Sequence, residues 1–253
     1  MPAPEGLRVA DVTVRFGSVM AVDGAGLTAH PGTVTGLVGR DGAGKTTLCD
    51  VIAGLRRPAA GTVHLDGRDL TGSAARVRAR HGIVRAFQRP AARPASPFGA
   101  PTVRESVQAA VRRSDPGPAR WGRRRGTGRD SARRAEELLA RVGIAEYADR
   151  CARDAPPAVA VLTQLARALA ADPAVLLLDE AWTGLPVRRS RALEVLLRDL
   201  AAEGVAVLVA CGALEPVMGV CDVLHVLDAG RVIAAGPPAE VRADRRVRDA
   251  CPA

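Results

Sequence analysis

The stretch Gly39-Arg40-Asp41-Gly42-Ala43-Gly44-Lys45-Thr46 decides the fold of this 253-residue chain. It matches the pattern G-x-x-x-x-G-K-[ST], a P-loop in which backbone amides and one lysine surround phosphate groups. The chain has 36 basic residues, and Lys45 is the only lysine among them. A chain that otherwise uses arginine would use it here too if any cation served, but a planar guanidinium does not fit the space of a compact ammonium. We therefore predict a site for a nucleoside triphosphate.

The segments around the P-loop have the periodicity that this motif requires. Residues 33–38 are predicted to form a strand that runs into the loop, and residues 46–55 a helix whose apolar side chains share one face. A helix that starts directly after the loop adds unpaired amides and a partial positive charge for an anion. Before the loop, residues 7–16 and 19–28 alternate apolar and polar positions, which predicts two strands joined by a turn.

Downstream, residues 175–178 form an apolar run that ends in Asp179-Glu180, as expected for a buried strand of a parallel sheet. Residues 89–157 combine a loop rich in proline and arginine with helical segments, which predicts a mostly helical insert within one α/β domain covering residues 1–253. The other predicted strands are 62–65, 83–88, 205–210 and 223–227, and the other predicted helices are 102–112, 131–142, 162–170, 187–202, a short one near Leu214, and 238–249.

The composition limits the class of protein. Apolar residues make up 47% and aromatic residues only 2%, so alanine, valine and leucine must fill the core. No apolar run approaches the length of a membrane span, and the N-terminus lacks the basic and apolar segments of a signal peptide. We therefore expect a cytoplasmic protein. The five cysteines show no metal-ligand spacing and are expected to be reduced thiols.

The strongly basic charge has two interpretations. The net charge is +9 and the pI is near 10.6, which favours anionic partners such as nucleotides or lipid headgroups. The excess of arginine, alanine, glycine and proline also resembles mutational bias, which weakens the charge as a sign of nucleic-acid binding. We interpret the arginines of residues 120–125 as a solvated loop rather than a binding patch.

Several landmarks follow one another in a fixed order along the chain. They are the P-loop, Phe87-Gln88, Ala166-Arg167-Ala168-Leu169-Ala170, Leu176-Leu177-Leu178-Asp179-Glu180, Gly184-Leu185 and Val226-Leu227-Asp228-Ala229-Gly230-Arg231. In this order and spacing the chain resembles the ATP-binding subunit of ABC transporters over almost its whole length. Within that family it is most similar to the subunit of branched-chain amino-acid importers, in Arg85-Ala86-Phe87-Gln88, Pro216-Val217-Met218-Gly219 and Pro238-Ala239-Glu240-Val241-Arg242.

The resemblance implies an α/β P-loop NTPase core with an N-terminal antiparallel β region and the helical insert at 89–157. It implies that ATP is held by Phe16, Gly39, Gly42, Ala43, Gly44, Lys45, Thr46 and Thr47. Mg²⁺ would be held by Thr46, Gln88 and Asp179. The implied catalytic residues are Glu180, as general base for the attacking water, and Gln88, in contact with metal and water. Phe16 is either the adenine-stacking aromatic or an ordinary core residue.

Three places depart from the family's pattern. The Leu-Ser-Gly-Gly-Gln-like signature, which contacts the nucleotide of a partner subunit, is replaced by Ala155-Pro156-Pro157-Ala158-Val159. Cys211 stands where the family has a histidine at the γ-phosphate, and Pro186 ends a loop that usually closes with an acidic or amide residue. Proline supplies no amide and a thiol is a poor donor. We therefore predict strong ATP binding with weak hydrolysis.

The leading functional interpretation is the ATPase subunit of an amino-acid importer, peripheral on the inner face of the cell membrane. Its implied partners are integral permease subunits and a second ATP-binding subunit. A catalytically inactive regulatory ATP-binding subunit is the alternative, which Cys211 favours and Glu180 opposes. A soluble nucleic-acid-associated P-loop ATPase is a third. Such proteins carry two nucleotide domains or a long coiled-coil insert, which this chain lacks, so no direct nucleic-acid partner is expected.

Overall fold

A computed structural model describes residues 5–86, 100–114, 128–180, 182 and 185–250 of the chain. The strands in this part of the chain are β1 Leu7–Phe16, β2 Val19–Ala29, β3 Val34–Val38, β4 Ala60–Leu65, β5 Arg68–Asp69, β6 Ile83–Ala86, β7 Val175–Asp179, β8 Ala206–Cys211, β9 Val223–Asp228 and β10 Arg231–Gly236. The helices are α1 Lys45–Ala53, α2 Ala75–Arg80, α3 Val103–Arg113, α4 Gly128–Arg141, α5 Pro157–Leu169, α6 Val187–Ala202, α7 Glu215–Met218, α8 Pro238–Ala243 and α9 Arg245–Ala250.

Two sheets form the framework of the molecule. The larger sheet has the order β10-β9-β3-β8-β7-β6, and all of its pairs are parallel except β9 with β10. Every residue of β3, β7 and β8 is buried, which explains the continuous apolar runs in these strands. The smaller sheet, β2-β1-β4-β5, is antiparallel. The predicted α/β class with an N-terminal antiparallel region is therefore confirmed.

Helix α1 lies between the two sheets. Its residues Leu48, Val51 and Ile52 share one buried cluster with Val12 of the small sheet and Leu177 of the large sheet. The opposite face of the large sheet is covered by α5 and α6, and the cluster there extends into α3 and α4. This layering places the N-terminus of α1 at the carboxyl end of β3, where open α/β sheets bind their ligands. None of the helices that the structure describes is long and apolar enough to cross a bilayer.

Several predicted boundaries were wrong, each for a local physical reason. Helix α5 starts at Pro157 rather than residue 162, because proline suits the first turn of a helix. The predicted terminal helix 238–249 is interrupted at Asp244, whose backbone is extended and whose Oδ1 accepts the amide of Arg246. The sequence analysis missed β5, α2 and β10. The first two are short, and β10 carries no regular alternation of exposed and buried residues.

The helical region between β6 and β7 is described only in part. Thr102 caps α3 in a reciprocal capping box with Glu105. Arg104 of α3 donates to Glu136 of α4 at 2.6 Å and to Asp149 at 3.0 Å. Because residues 89–99 and 115–127 lie outside the described part, the boundary of an inserted subdomain at 89–157 stays a prediction.

Candidate nucleotide-binding site

The P-loop begins directly after β3 and ends on Thr46, the second residue of α1. Gly42 and Gly44 have φ values of +82° and +105°, a region in which other L-residues are strained. A Cβ on Gly44 would lie 2.4 Å from the Ala21 carbonyl oxygen, and one on Gly39 would lie 2.2 Å from the Leu227 carbonyl oxygen. The loop therefore needs glycine at position 42 for its backbone conformation, at position 39 for its close approach to β9, and at position 44 for both its conformation and its approach to β2.

The N-terminus of α1 is open to an anion. Gly44 at the N-cap offers no side-chain hydrogen bond, and no acidic residue lies in the first turn. The amides of Lys45, Thr46 and Thr47 have no acceptor within the helix because they belong to its first turn. Thr46 is exposed, so its hydroxyl is accessible from the loop. These are the groups that the sequence predicts for phosphate and metal binding.

The ammonium of Lys45 is held inside the loop. Lys45 is 5% exposed, and its Nζ donates to the carbonyl oxygens of Gly39 at 2.6 Å and Arg40 at 3.1 Å. The same Nζ lies 3.9 Å from Glu180 Oε1. The structure therefore brings together the predicted phosphate-binding lysine and the predicted general base, which are far apart in sequence.

Asp179 is the last residue of β7 and is 6% exposed. Its Oδ2 accepts a hydrogen bond from Arg85 Nη2 at 2.6 Å. Its Oδ1 is buried and has no hydrogen-bond partner within the described part of the chain. A buried carboxylate oxygen of this kind needs a cation or an ordered water. Oxygen ligands are the ones that Mg²⁺ prefers, so Asp179 fits the predicted magnesium site.

Glu180 follows β7 with a left-handed backbone, at φ +57°. Its amide donates to the Ala210 carbonyl at 3.0 Å, which fixes the turn against the end of β8. Its side chain is 42% exposed, so water can reach the carboxylate. A positive φ at a residue other than glycine is uncommon and is found at functional sites where the surrounding structure imposes it.

The structure places Phe16 at the surface end of the β1–β2 hairpin rather than in the core, since 44% of it is exposed. The guanidinium carbon of Arg56 lies 4.2 Å from the centre of its ring. Gln88, the other predicted metal and catalytic residue, lies outside the described residues, as does its neighbour Phe87.

The residues at the signature position form the start of α5. Pro156 is the N-cap without a side-chain hydrogen bond, and Pro157 is the first helical residue. The amides of Val159 and Ala160 both donate to the Pro156 carbonyl, at 2.8 and 3.0 Å. This helix N-terminus therefore presents neither a hydroxyl nor the amides that a glycine pair would offer to a phosphate.

Cys211 ends β8 beside the P-loop. It pairs with Val38 in the sheet, and its carbonyl accepts the amide of Gly39 at 3.3 Å. Burial raises the pKa of the Cys211 thiol, and the nearby Glu180 carboxylate adds to this rise. The side chain is therefore a neutral thiol near pH 7, unlike the histidine that the resemblance leads one to expect.

The loop after Glu180 leads into α6. Trp182 is half-buried and packs against the apolar cluster beneath the large sheet. Pro186 is the N-cap of α6, again without a side-chain hydrogen bond. The other residues between them, apart from Leu185, lie outside the described part.

The sequence analysis missed two arginines that hold the site together. Arg85 binds both Asp179 and Asp50 of α1. Arg78 of α2 is fully buried and donates to the carbonyls of Val51 at 2.6 Å, Ile52 and Thr71 at 2.9 Å, and Ser73 at 3.1 Å. A charge in the middle of the apolar strand 83–86 was a usable signal for Arg85. The abundance of arginine in this chain hid it.

Comparison with known families agrees with this geometry. Residues 22–183 match the model described as ABC transporter. Residues 231–251 match the model described as Branched-chain amino acid ATP-binding cassette transporter. The two models together cover most of the chain.

Curated relatives belong to the same family. The methionine import ATP-binding protein MetN of Rhizobium etli is 34% identical over 239 residues, covering 92% of this chain and 62% of the relative. MetN 1 of Rhodococcus jostii is 35% identical and covers 94% of this chain and 68% of the relative. The chain spans about three fifths of the length of the first of these relatives.

Solved structures share the fold over nearly the whole chain. A nucleotide-free ATP-binding cassette from an ABC transporter superposes with a TM-score of 0.82 at 26% identity, covering 96% of this chain and 97% of that one. The ADP conformation of an ATP-binding cassette of an ABC transporter gives a TM-score of 0.82 at 26% identity and covers 97% of both chains. The P-loop geometry, the family model and these likenesses agree, and the chain belongs to the ATP-binding cassette family of ABC transporters.

Proposed function

We propose that this chain is the ATP-binding subunit of an ABC importer and binds Mg-ATP at the P-loop. One observation carries the proposal: Lys45 is buried against the loop carbonyls while its Nζ lies 3.9 Å from Glu180 Oε1. The ammonium is thereby held inside the loop that would surround the phosphates, and a charge fixed in advance stabilises an anion effectively. Titration of the purified chain with a fluorescent ATP analogue tests it, and absence of binding would refute it.

The roles of the residues follow from their environments. Amides of residues 42–47 and the Lys45 ammonium would bind the phosphates, and Phe16 would stack on the base. Thr46, Asp179 and Gln88 would hold Mg²⁺, which neutralises the charge of the β- and γ-phosphates when bound. Glu180 is exposed enough to receive water and would accept its proton as general base.

We infer that the transported substrate is an amino acid. The relatives' names specify methionine import, while residues 231–251 match a model for branched-chain amino-acid transporters.

The partners would be permease subunits and a second ATP-binding chain, which places this subunit at the inner face of the membrane. Affinity purification of the tagged chain from its own cells tests this. A co-purifying permease supports it, and nucleic acid in place of a permease would favour the soluble P-loop ATPase.

Hydrolysis by the chain alone is proposed to be weak. The start of α5 lacks the signature's hydroxyl and amides, and Cys211 is a neutral buried thiol. Loss of one preorganised donor costs roughly 10²–10³ in rate in comparable oxyanion sites. Phosphate release by the purified protein decides the matter. Robust turnover that Glu180→Gln abolishes would contradict the proposal.

The same observations favour a second candidate, a regulatory subunit that binds ATP without hydrolysing it and works beside an intact ATPase chain. It predicts that a complex with that partner hydrolyses ATP at the same rate with wild-type or Glu180→Gln protein. A loss of turnover in the Glu180→Gln complex would exclude this candidate.

A further inference from the structure

A buried cluster of one arginine and two carboxylates joins three elements beside the candidate metal site. Arg85 of β6 donates through Nη2 to Asp179 Oδ2 at 2.6 Å and through Nη1 to Asp50 Oδ1 of α1. The Arg85 and Asp179 side chains are 6% and 7% exposed, and that of Asp50 is 22% exposed, so the bond to Asp179 is the more deeply buried of the two. The sequence motifs assign this arginine no role in binding or catalysis.

The charge balance of the cluster suits a cation at Asp179. The single guanidinium is neutralised by Asp50, so the pair fixes Asp179 without cancelling the negative charge of its carboxylate. Without Asp50, an incoming cation would meet the full positive charge of Arg85 at short range and low dielectric. The presence of two carboxylates for one arginine therefore distinguishes this cluster from a simple ion pair.

The hydrogen bonds also fix the direction of the Asp179 carboxylate. Arg85 holds Oδ2, while Oδ1 is buried and has no partner among the described residues. A carboxylate with one oxygen bound by a rigid guanidinium presents the other oxygen in one direction only. A side chain that does not touch a metal itself commonly orients the residue that binds it.

We propose that Arg85, backed by Asp50, is a positioning residue that holds Asp179 for the Mg²⁺ of bound Mg-ATP. The inference rests on the proposed ATP-binding function. It differs from two other roles for the same arginine. In the first, Arg85 would only link β6, β7 and α1 and would not affect metal binding. In the second, its positive charge would compete with the metal and weaken metal binding at Asp179.

The experiment compares nucleotide binding with metal binding in the full chain. ATP affinity is measured in EDTA by competition with a fluorescent ATP analogue, and Mn²⁺ affinity of the protein–ATP complex by electron paramagnetic resonance. Arg85→Lys keeps the positive charge but loses the planar guanidinium that binds two carboxylates at once. Arg85→Gln loses both the charge and that geometry. We expect both variants to bind ATP in EDTA as the wild type does, with Mn²⁺ bound roughly 10-fold more weakly.

A matched control is Arg104→Lys, because Arg104 also bridges two carboxylates, Glu136 and Asp149, but does so on α3. It should change neither affinity. Unchanged or tighter Mn²⁺ binding in the Arg85 variants would overturn the proposal, as would equal losses of ATP and Mn²⁺ binding. If Arg85→Gln does not fold, Asp50→Asn decides: weaker Mn²⁺ binding supports the proposal and unchanged binding overturns it. Failure of the wild type to bind ATP both in EDTA and in the presence of Mg²⁺ would refute the proposed function itself.

Discussion

Two regions of this molecule differ in how much of the family pattern they retain. The phosphate-binding half consists of residues 39–47, the remainder of α1 and the end of β7. The partner-facing half, named for the contacts that the resemblance implies, consists of the start of α5 and Pro186, while Cys211 is a separate departure beside the P-loop. In the first, the left-handed glycines and the buried ammonium are present with their supporting contacts. In the second, α5 and α6 are formed, but the polar groups that the resemblance places against a partner's nucleotide are replaced.

The difference shows that fold and chemistry impose separate requirements at a helix N-terminus. Helix α5 needs a residue that starts a helix, and Pro157 satisfies this requirement. A phosphate needs amides and hydroxyls, which two prolines do not provide. The partner-facing half can therefore lose its polar groups while its backbone stays in place.

The largest expected effect is on the support of the phosphate-binding half. Arg78→Ala would remove the guanidinium donor from four backbone carbonyls in and near α1, of which only that of Val51 keeps another donor in the described part of the chain, the amide of Gly54. We expect the free energy of unfolding to fall by more than about 3 kcal/mol, since each unsatisfied buried group costs about 1–3 kcal/mol. Urea denaturation measures it. Arg76→Ala, an exposed position on the same helix, should change stability by less than about 0.5 kcal/mol. Equal losses of stability in the two variants would refute the stabilising role of the Arg78 hydrogen bonds.

Removing the only lysine should break the phosphate-binding half without unfolding it. Lys45→Ala is expected to weaken ATP binding about 100-fold, because a hydrogen bond to a charged group contributes about 1.5–3 kcal/mol. Isothermal titration with ATP provides the measurement. Arg57→Ala removes one exposed charge after α1 and serves as the control. Unchanged affinity in Lys45→Ala would end the assignment of residues 39–46 as a triphosphate site.

Two glycine substitutions separate close contact from backbone strain. Gly42 and Gly44 both have positive φ, but only a Cβ on Gly44 would collide with backbone, while Gly42 faces open space. Gly42→Ala should cost about 1–2 kcal/mol of stability from strain alone, and Gly44→Ala clearly more. Thermal unfolding of the two variants side by side gives the comparison. Equal costs would mean that the approach of the loop to β2 is unimportant.

Repair of the site at Cys211 should have a smaller effect. Cys211→His restores a possible donor beside the P-loop, and we expect phosphate release to rise about 10-fold, less than the full contribution of such a donor because the signature remains absent. Cys221→Ser, at a buried cysteine of the same apolar cluster, controls for loss of a buried thiol. No rise in turnover with ATP still bound would show that the thiol does not limit hydrolysis.

The smallest effect is predicted for the start of α5. Pro156→Ser supplies a side-chain cap that α5 lacks, which adds about 0.5–1 kcal/mol of stability. ATP affinity of the isolated chain should not change, since the signature acts on a partner's nucleotide. A loss of ATP affinity in this variant would show that the two halves are not separable.

Much of the fold could be read from the sequence because its signals are local. The apolar runs of β7 and β8, the alternation in β1 and the glycine pattern of the P-loop depend on neighbours in the chain. The contacts of Arg85 with its two carboxylates, and of Arg78 with the last turn of α1, could not be predicted in this way, because they join residues 26 or more positions apart. The surface position of Phe16 could likewise not be predicted from the sequence, since β1 has both exposed and buried positions.

The grip of Arg78 on the last turn of α1 has a mechanical consequence. A helix whose final carbonyls are fastened to a neighbouring helix cannot slide along its axis unless those bonds break. We therefore expect helices α1 and α2 to move as one rigid body when nucleotide binds at the P-loop. Any conformational change on nucleotide binding is then expected outside this pair of helices.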